Sequence, residues 1–278
     1  MRPSCSLLPI ATAAILALGL ITGGSNRTFG GDDAAAAGGP KKTQPKREGA
    51  KSFEEATNDL KRLALAVHKY HADYGRIPPA AASDKAANPT VSWRVLILPY
   101  IQQETLFKEF KLDEPWDSDQ NKKLIAKMPA IFRGPSKKLN EEGKTVYLAP
   151  LEMSTLFPPD GKKIRFAQVY DGLSNTIMFV ETNDDSAVVW TKPVDLPVEL
   201  SGISNKPNLN KPMRPISALS RPGQEFFLAA MGDGSVIRFK CAKDEIGLTN
   251  LARAFSRDEG ELIDYNSIAL ERDSSPPK

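Results

Sequence analysis

Two rhythms of apolar and polar positions divide this chain. The first is helical. Phe53, Ala56, Leu60, Leu63, Ala64, Val67, His71 and Tyr74 recur at spacings of three and four, which gathers them on one face, while Lys61, Arg62 and Lys69 fall elsewhere around the axis. Ser52 and Glu55 form the S-x-x-E of a capping box, so the helix is expected over 52–74. Gly75 can take the left-handed backbone that ends a helix, and Pro78-Pro79 forbids its resumption. Shorter helices are expected over 93–98, 100–110 and 118–127, with Pro99 separating the first two and Ser118 or Asp117 capping the third.

From Lys144 onward the period shortens. "TVYLAPL", "IRFAQVY", "TIMFVET", "AVVWTK", "EFFLAAM" and "SVIRFK" are rich in Val, Ile, Phe and Tyr, and Gly, Asp, Asn and Pro separate them. These runs predict strands. Helices first and strands later predict an α+β fold in which the N-terminal amphipathic helix packs on a mostly antiparallel sheet, with short helices inserted between. Within "FFLAAMGDGSVIRFK", Asp233 and Gly234 supply the positive φ angles of a tight hairpin, and Phe226, Leu228 and Ala230 alternate on one side of it. Asp233 is thus read as a corner. The Pro- and Asn-rich stretch 197–222 reads as a long loop of the kind that is either functional or mobile.

The N-terminus changes the picture. Arg2 precedes "LLPIATAAILALGLIT", an uncharged run shorter than the roughly 20 residues a spanning helix needs, and "GGS" follows. A basic start, an apolar core and small residues make the pattern of an export signal. Residues 1–24 are expected to be a signal peptide cut after Gly24, with a cut near Gly30 or an uncleaved anchor as the alternatives. No membrane span remains after cleavage. Residues 25–51, full of Gly, Ala, Pro and charge, cannot repay the entropy of ordering and read as a flexible linker. The folded domain is then 52–265, and 266–278 reads as a disordered tail.

Composition narrows the chemistry. The net charge is +3, and much of the lysine excess sits in "PKKTQPKREGAK", so no nucleic-acid-binding face is expected. Cys5 lies ahead of the apolar run, too early for an acylated cysteine. Cys241 then stands alone in the mature chain, without a disulfide partner or companion metal ligands, as a small apolar residue. His68 and His71 are the only histidines. Three apart on a helix they are neighbours, yet no HExxH accompanies them, and His71 falls on the apolar stripe as a half-buried, satisfied ring. No nucleophile elbow, phosphate-binding loop or dinucleotide fingerprint occurs. The acidic pairs Asp184-Asp185 and Asp258-Glu259 are adjacent in sequence, which does not make them converge in space. Asp171, Ser174 and Asn175, and then Glu181, Asn183, Asp184 and Asp185, concentrate oxygen near the two ends of one expected strand. Neither group has EF-hand spacing, and both read as turns before they read as calcium sites. Trp93, Trp116 and Trp190 are stacking platforms if exposed and packing residues if buried. No catalytic, cofactor-binding or metal-ligating residue is assigned, no cofactor is expected, and the chain does not read as an enzyme.

Several blocks in one order carry a resemblance: "NDLKRLALAVHKYHADYGRIPP", "SWRVLILPYIQQETLFKEF", "PWDSDQNKKL", "MPAIFRGPS", "YDGLSNTIMFVET", "VVWTKPVDLP" and "FLAAMGDGSVIRF". They resemble the bacterial exported proteins known as domain of unknown function 1559, prepilin-like proteins with an H-x9-DG signature, which are likened to type II secretion pseudopilins and type IV pilins. The resemblance implies a long helix on an antiparallel sheet and no catalytic site. Asp233 and Gly234 match the "DG", but Gly223 stands at the signature histidine, and Gly134 stands where many relatives have cysteine. Prepilins also run their apolar helix directly into the amphipathic one, whereas here a Gly- and Pro-rich tether intervenes. The expectation is an exported, non-catalytic structural or interaction protein of the cell envelope, partnered by other envelope or secreted proteins. The alternative is an extracellular carbohydrate-binding module that holds glycan on its tryptophans.

Overall fold

A computed structural model describes residues 51–83, 88–200, 218–221, 223–260 and 262–277. The chain divides into Met1–Pro45 and a compact unit Lys46–Lys278, and the described residues fall in the second. The expected signal peptide, nearly all of the expected linker and most of the 197–222 loop lie outside them.

Helix α1 (Phe53–Tyr74) starts and stops where its caps place it. The Ser52 hydroxyl accepts the Glu55 N–H at 3.1 Å, and the Glu55 carboxylate accepts the Ser52 N–H at 2.7 Å. Gly75, at φ 65°, closes the far end by donating its N–H to the His71 carbonyl at 2.8 Å. Ala56, Leu60, Leu63, Ala64 and Val67 are buried as the spacing predicts, and Tyr70 joins them. Tyr74, expected on that face, is 58% exposed and stacks on Tyr70 instead. Lys61, expected away from the core, is buried. The reason appears at the C-terminus.

The central sheet has five antiparallel strands: β1 (Tyr147–Leu148), β2 (Ile177–Glu181), β3 (Phe226–Met231), β4 (Val236–Lys240) and β5 (Ala269–Asp273). They lie side by side in the order β5-β4-β3-β2-β1. The β3–β4 hairpin pairs Ala230 with Val236 and Leu228 with Arg238 around the Gly-Asp-Gly-Ser turn; Gly234 sits at φ 87°, but Asp233, also expected at positive φ, does not, because its carboxylate holds the turn through Ser235 instead. Two-residue periodicity splits the core. Leu228, Ala230 and Val236 face the layer that contains α1, whereas Phe227, Ala229, Ile237 and Phe239 face the opposite layer.

That opposite layer is built on α2 (Glu245–Phe255), whose Leu251, Ala252, Ala254 and Phe255 are buried against it. Each large side chain so buried contributes about 1.5–3 kcal/mol over leaving it wet. Helix-on-sheet is thus the correct class, and the sheet is covered on both faces. Outside it, Ala81–Ser83 pairs with Pro89–Ser92 and Lys144–Thr145 with Val188–Val189, both antiparallel; Pro150–Leu151 with Leu196–Pro197 is parallel.

Several elements differ from expectation. The tail is ordered: Tyr265–Ile268 is a helical turn, and β5 pairs with β4. The run 164–170 is a 3-10 turn at Phe166–Gln168 and not a strand. Phe166 lies against both His68 and His71 at ring separations of 4.5 and 4.3 Å, and its N–H goes to His71, so no sheet ladder forms there. "TVYLAPL" is divided among three short pieces, Lys144–Thr145, Tyr147–Leu148 and Pro150–Leu151, with different partners. The helix expected over 93–98 ends at Leu96, where a 3-10 turn Leu98–Ile101 carries Pro99 at its start. The next is shortened to Glu104–Glu109, and the third is the 3-10 segment Asn121–Lys127, with the Ser118 hydroxyl accepting the Asn121 N–H.

Candidate functional site

A concavity lies between α1 and the β4–β5 edge. It is a cleft of about 280 Å³ floored by Leu228 and Val236 and walled by Phe53, Thr57, Lys61 and Arg238. A second hollow, of about 440 Å³, is lined by Leu65, His68 and the Asp233–Ser235 turn. Lys61, Ser275 and Pro276 line both. The Lys61 ammonium pairs with Asp273 at 2.7 Å and donates to the Ser275 hydroxyl at 2.8 Å, and this covering segment is what buries it. Hydrogen bonds from Lys61 and from Ser275 pull the Asp273 carboxyl down to about 2. Because its folded value lies below the unfolded one, the stabilisation from this pair is fully present above about pH 4 and is lost only as pH falls through about 2.

The two histidines line up on α1 but use their nitrogens in opposite senses. His68 Nε2 lies 2.7 Å from the Gly232 carbonyl, which only accepts, so that nitrogen carries the hydrogen. His71 Nε2 accepts the Phe166 N–H at 3.3 Å and is therefore unprotonated. Backbone partners thus claim one nitrogen of each ring. Burial, and secondarily the neighbouring His68, lower the His71 pKa. A base whose folded pKa lies below its unfolded one leaves the native state with fewer protons than the unfolded chain, so stability rises with pH across that window. The melting temperature is expected to fall as pH drops from about 8 to about 5, through the ordinary imidazole value of about 6.5. The His71→Gln variant is expected to flatten that profile, and thermal scans across pH measure it.

Asp233 is a corner with a second contact. One carboxylate oxygen accepts the N–H and hydroxyl of Ser235 at 2.9 and 2.7 Å, and the other faces the Arg272 guanidinium at 3.8 Å. Asp171, Glu181 and Asp258 also have partners. Asp171 accepts the amides of Glu259 and Gly260 at 2.9 and 2.6 Å. Asn183 caps the Asp184–Ser186 turn, while Glu181 turns away from it toward Arg221. Asp258 pairs with Arg257 at 3.3 Å, and the carboxyl of Glu259 is raised by burial and then by Asp171. Among the described residues no cluster of three or more His, Cys, Asp or Glu could hold a metal ion. Trp93 and Trp190 have no exposed surface and therefore cannot stack on a sugar; Trp116 is half-buried beneath Lys192. Cys241 is half-buried and its thiol is pushed up by burial, away from the reactive thiolate.

Two buried ionic sites escaped the sequence reading, because their members are far apart along the chain. Asp195 pairs with Arg94 and also accepts Trp93 Nε1 at 3.1 Å and the Ala149 N–H at 2.8 Å. Arg94 in turn donates to the Tyr147 carbonyl and the Ser92 hydroxyl. At the root of α1, Glu181 accepts Arg221 at 2.7 Å, and Arg221 donates to the Lys51 carbonyl at 3.0 Å and lies 4.1 Å over the Phe53 ring. Lys51 pairs with Asp59 there. Burial raises the Glu181 carboxyl against the pull of Arg221. Each site ties a helix start to the sheet.

Residues 47–208, more than half of the chain, match the family model described as protein of unknown function DUF1559. The chain belongs to that family. No curated protein and no solved structure matches the chain. The expected signature positions Gly223 and Asp233 lie beyond the matched residues, past opposite ends of β3, and Gly223 has φ 78°, a backbone that residues with a side chain rarely adopt. A side chain at Gly134 would meet Val146 Cγ2 at 2.7 Å, so cysteine fits there only if Val146 moves. Among the described residues no helix is long and apolar enough to cross a membrane.

Proposed function

We propose that this DUF1559 protein is an exported, non-catalytic interaction protein of the bacterial cell envelope, with a pilin-like head placed behind an ordinary export signal. The observation that carries the reading is the start of α1. Ser52 is extended at ψ 165°, and its capping box consumes N–H groups that a continuing helix would have bonded within itself. A helix closed in this way begins at Phe53. It does not extend upstream as the stalk that prepilins use to join a fibre. Support for the pilin-like description comes from the order of elements, a long first helix packed on an antiparallel sheet. Its partners are other envelope or secreted proteins.

Sequencing the N-terminus of the exported protein tests the reading. The expected result is an unmethylated mature end after Gly24 or near Gly30. A methylated mature end within residues 7–22 would show prepilin processing and overturn it.

A further inference from the structure

The connection 152–176, between Pro150–Leu151 and β2, carries no strand and a single helical turn, Phe166–Gln168. Connections this long in a compact fold are usually functional. Both ends are tied through Arg257. Its guanidinium donates to the Met153 and Thr155 carbonyls at 2.6 and 2.7 Å, its N–H reaches the Ser154 carbonyl at 2.9 Å, and its carbonyl accepts the Asp171 N–H at 3.1 Å. The middle is tied to α1 instead. Ile164 is buried, and its carbonyl accepts the Ile77 N–H at 2.9 Å just past the helix end. Phe166 gives its N–H to His71 Nε2 and its ring to both imidazoles, while Arg165 and Ala167 on either side are exposed.

The Phe166 bond is conditional. An imidazole nitrogen accepts only while it is unprotonated. A proton on His71 Nε2 turns the acceptor into a donor, and two N–H groups then face each other across one gap. His68 is different: its Nε2 already donates to the Gly232 carbonyl, and a proton on its other nitrogen leaves that bond in place. His68 also opposes the charging of its neighbour one turn away. Of the other charged groups beside the contact, Asp73 of α1 accepts the Tyr100 hydroxyl at 2.7 Å, and Arg165 adjoins Phe166 on the turn. A charged imidazole is still attracted to the Phe166 face, but that attraction holds a side chain and not the main chain.

We propose that His71 is a pH-operated clasp: neutral, it fastens the main chain of the 165–168 turn to α1, and protonated, it lets that turn lift while the sheet stays closed. Burial favours the neutral ring and so keeps the clasp shut until the medium turns mildly acidic. This inference stands on the contact between His71 and Phe166 and holds whether or not the protein is exported.

Amide hydrogen exchange of the full chain tests it, read residue by residue by NMR at about pH 7.5 and about pH 5 and corrected for the pH dependence of chemical exchange. Protection of the Phe166 amide is expected to fall about tenfold or more at the lower pH, while the amides of β3 keep theirs within about twofold. His71→Gln, whose side-chain oxygen accepts without titrating, is expected to lose the pH dependence at Phe166. If that variant fails to fold by circular dichroism, the contrast between Phe166 and β3 in the native chain decides the matter alone. A Phe166 amide protected alike at both pH values, a loss shared equally by β3, or a pH dependence that survives in folded His71→Gln overturns the proposal.

Discussion

Replacing Asp195 with alanine is expected to remove about 3–5 kcal/mol of stability, a large part of the roughly 5–15 kcal/mol that a natural domain possesses. Neither Asp195 nor Arg94 has meaningful contact with water, so the substitution strands a guanidinium inside the protein and leaves Trp93 Nε1 and the Ala149 amide without their acceptor. The cost comes from the abandoned partner, not from the pair's own net worth. The double variant Arg94→Met with Asp195→Leu is therefore expected to recover a substantial share of the loss, because an apolar pair of similar size carries no desolvation penalty. Denaturant unfolding of Arg94→Met, Asp195→Leu and the double variant measures the coupling directly. Additive losses would mean that the ion pair is not the operative unit.

The Gly143→Ala variant is expected to lose roughly 2–5 kcal/mol, and Gly75→Ala only about 1 kcal/mol, although both glycines sit at φ 65°. The backbone cost is common to both. The difference is space: a methyl at Gly75 meets nothing within 4 Å, whereas one at Gly143 lies 2.5 Å from Ile125 Cγ2 and 2.9 Å from the Ile125 carbonyl. That carbonyl accepts Trp190 Nε1 at 2.9 Å, and the Gly143 carbonyl accepts the Trp190 N–H at 3.0 Å. Relief of the clash must therefore move both anchors of a buried tryptophan that stacks on Phe132 and meets Phe110 edge-on. Equal losses at the two glycines would place the whole cost in the backbone and remove Ile125 from the account. The comparison needs only unfolding midpoints at a common slope.

What could be read in advance was whatever is written locally. Ser52, Glu55 and Gly75 mark both ends of α1 within a single turn each, and Gly-Asp-Gly-Ser marks the hairpin. Helix α2 is also locally encoded, through Asp244 accepting the Gly247 N–H at 2.7 Å, but Gly247, Thr249 and Asn250 weaken its propensity and Ile246 faces solvent, which obscures the apolar stripe. Strand β5 was hidden differently. Its "ALERD" is three-fifths charged, and a run of charge reads as solvated until the oppositely charged residues on three other elements are known. The same blindness applies to Lys61, which reads as a polar-face lysine because the segment that covers it lies 212 positions later at Asp273. Arg94 and Asp195 are 101 residues apart, and nothing near either predicts the other. At the second hollow, Asp233 and His68 were visible as residues, but their company was not.

With a helix layer over each side, the β-sheet can meet a neighbour only at its rims, and the two rims are unlike. Tyr147 and Leu148 are sealed beneath other segments, while Leu270 and Glu271 stand open to solvent. A molecule with a single available rim has one hand to offer. A strand added at that rim would lengthen the sheet at one end only, because the Tyr147–Leu148 end is buried.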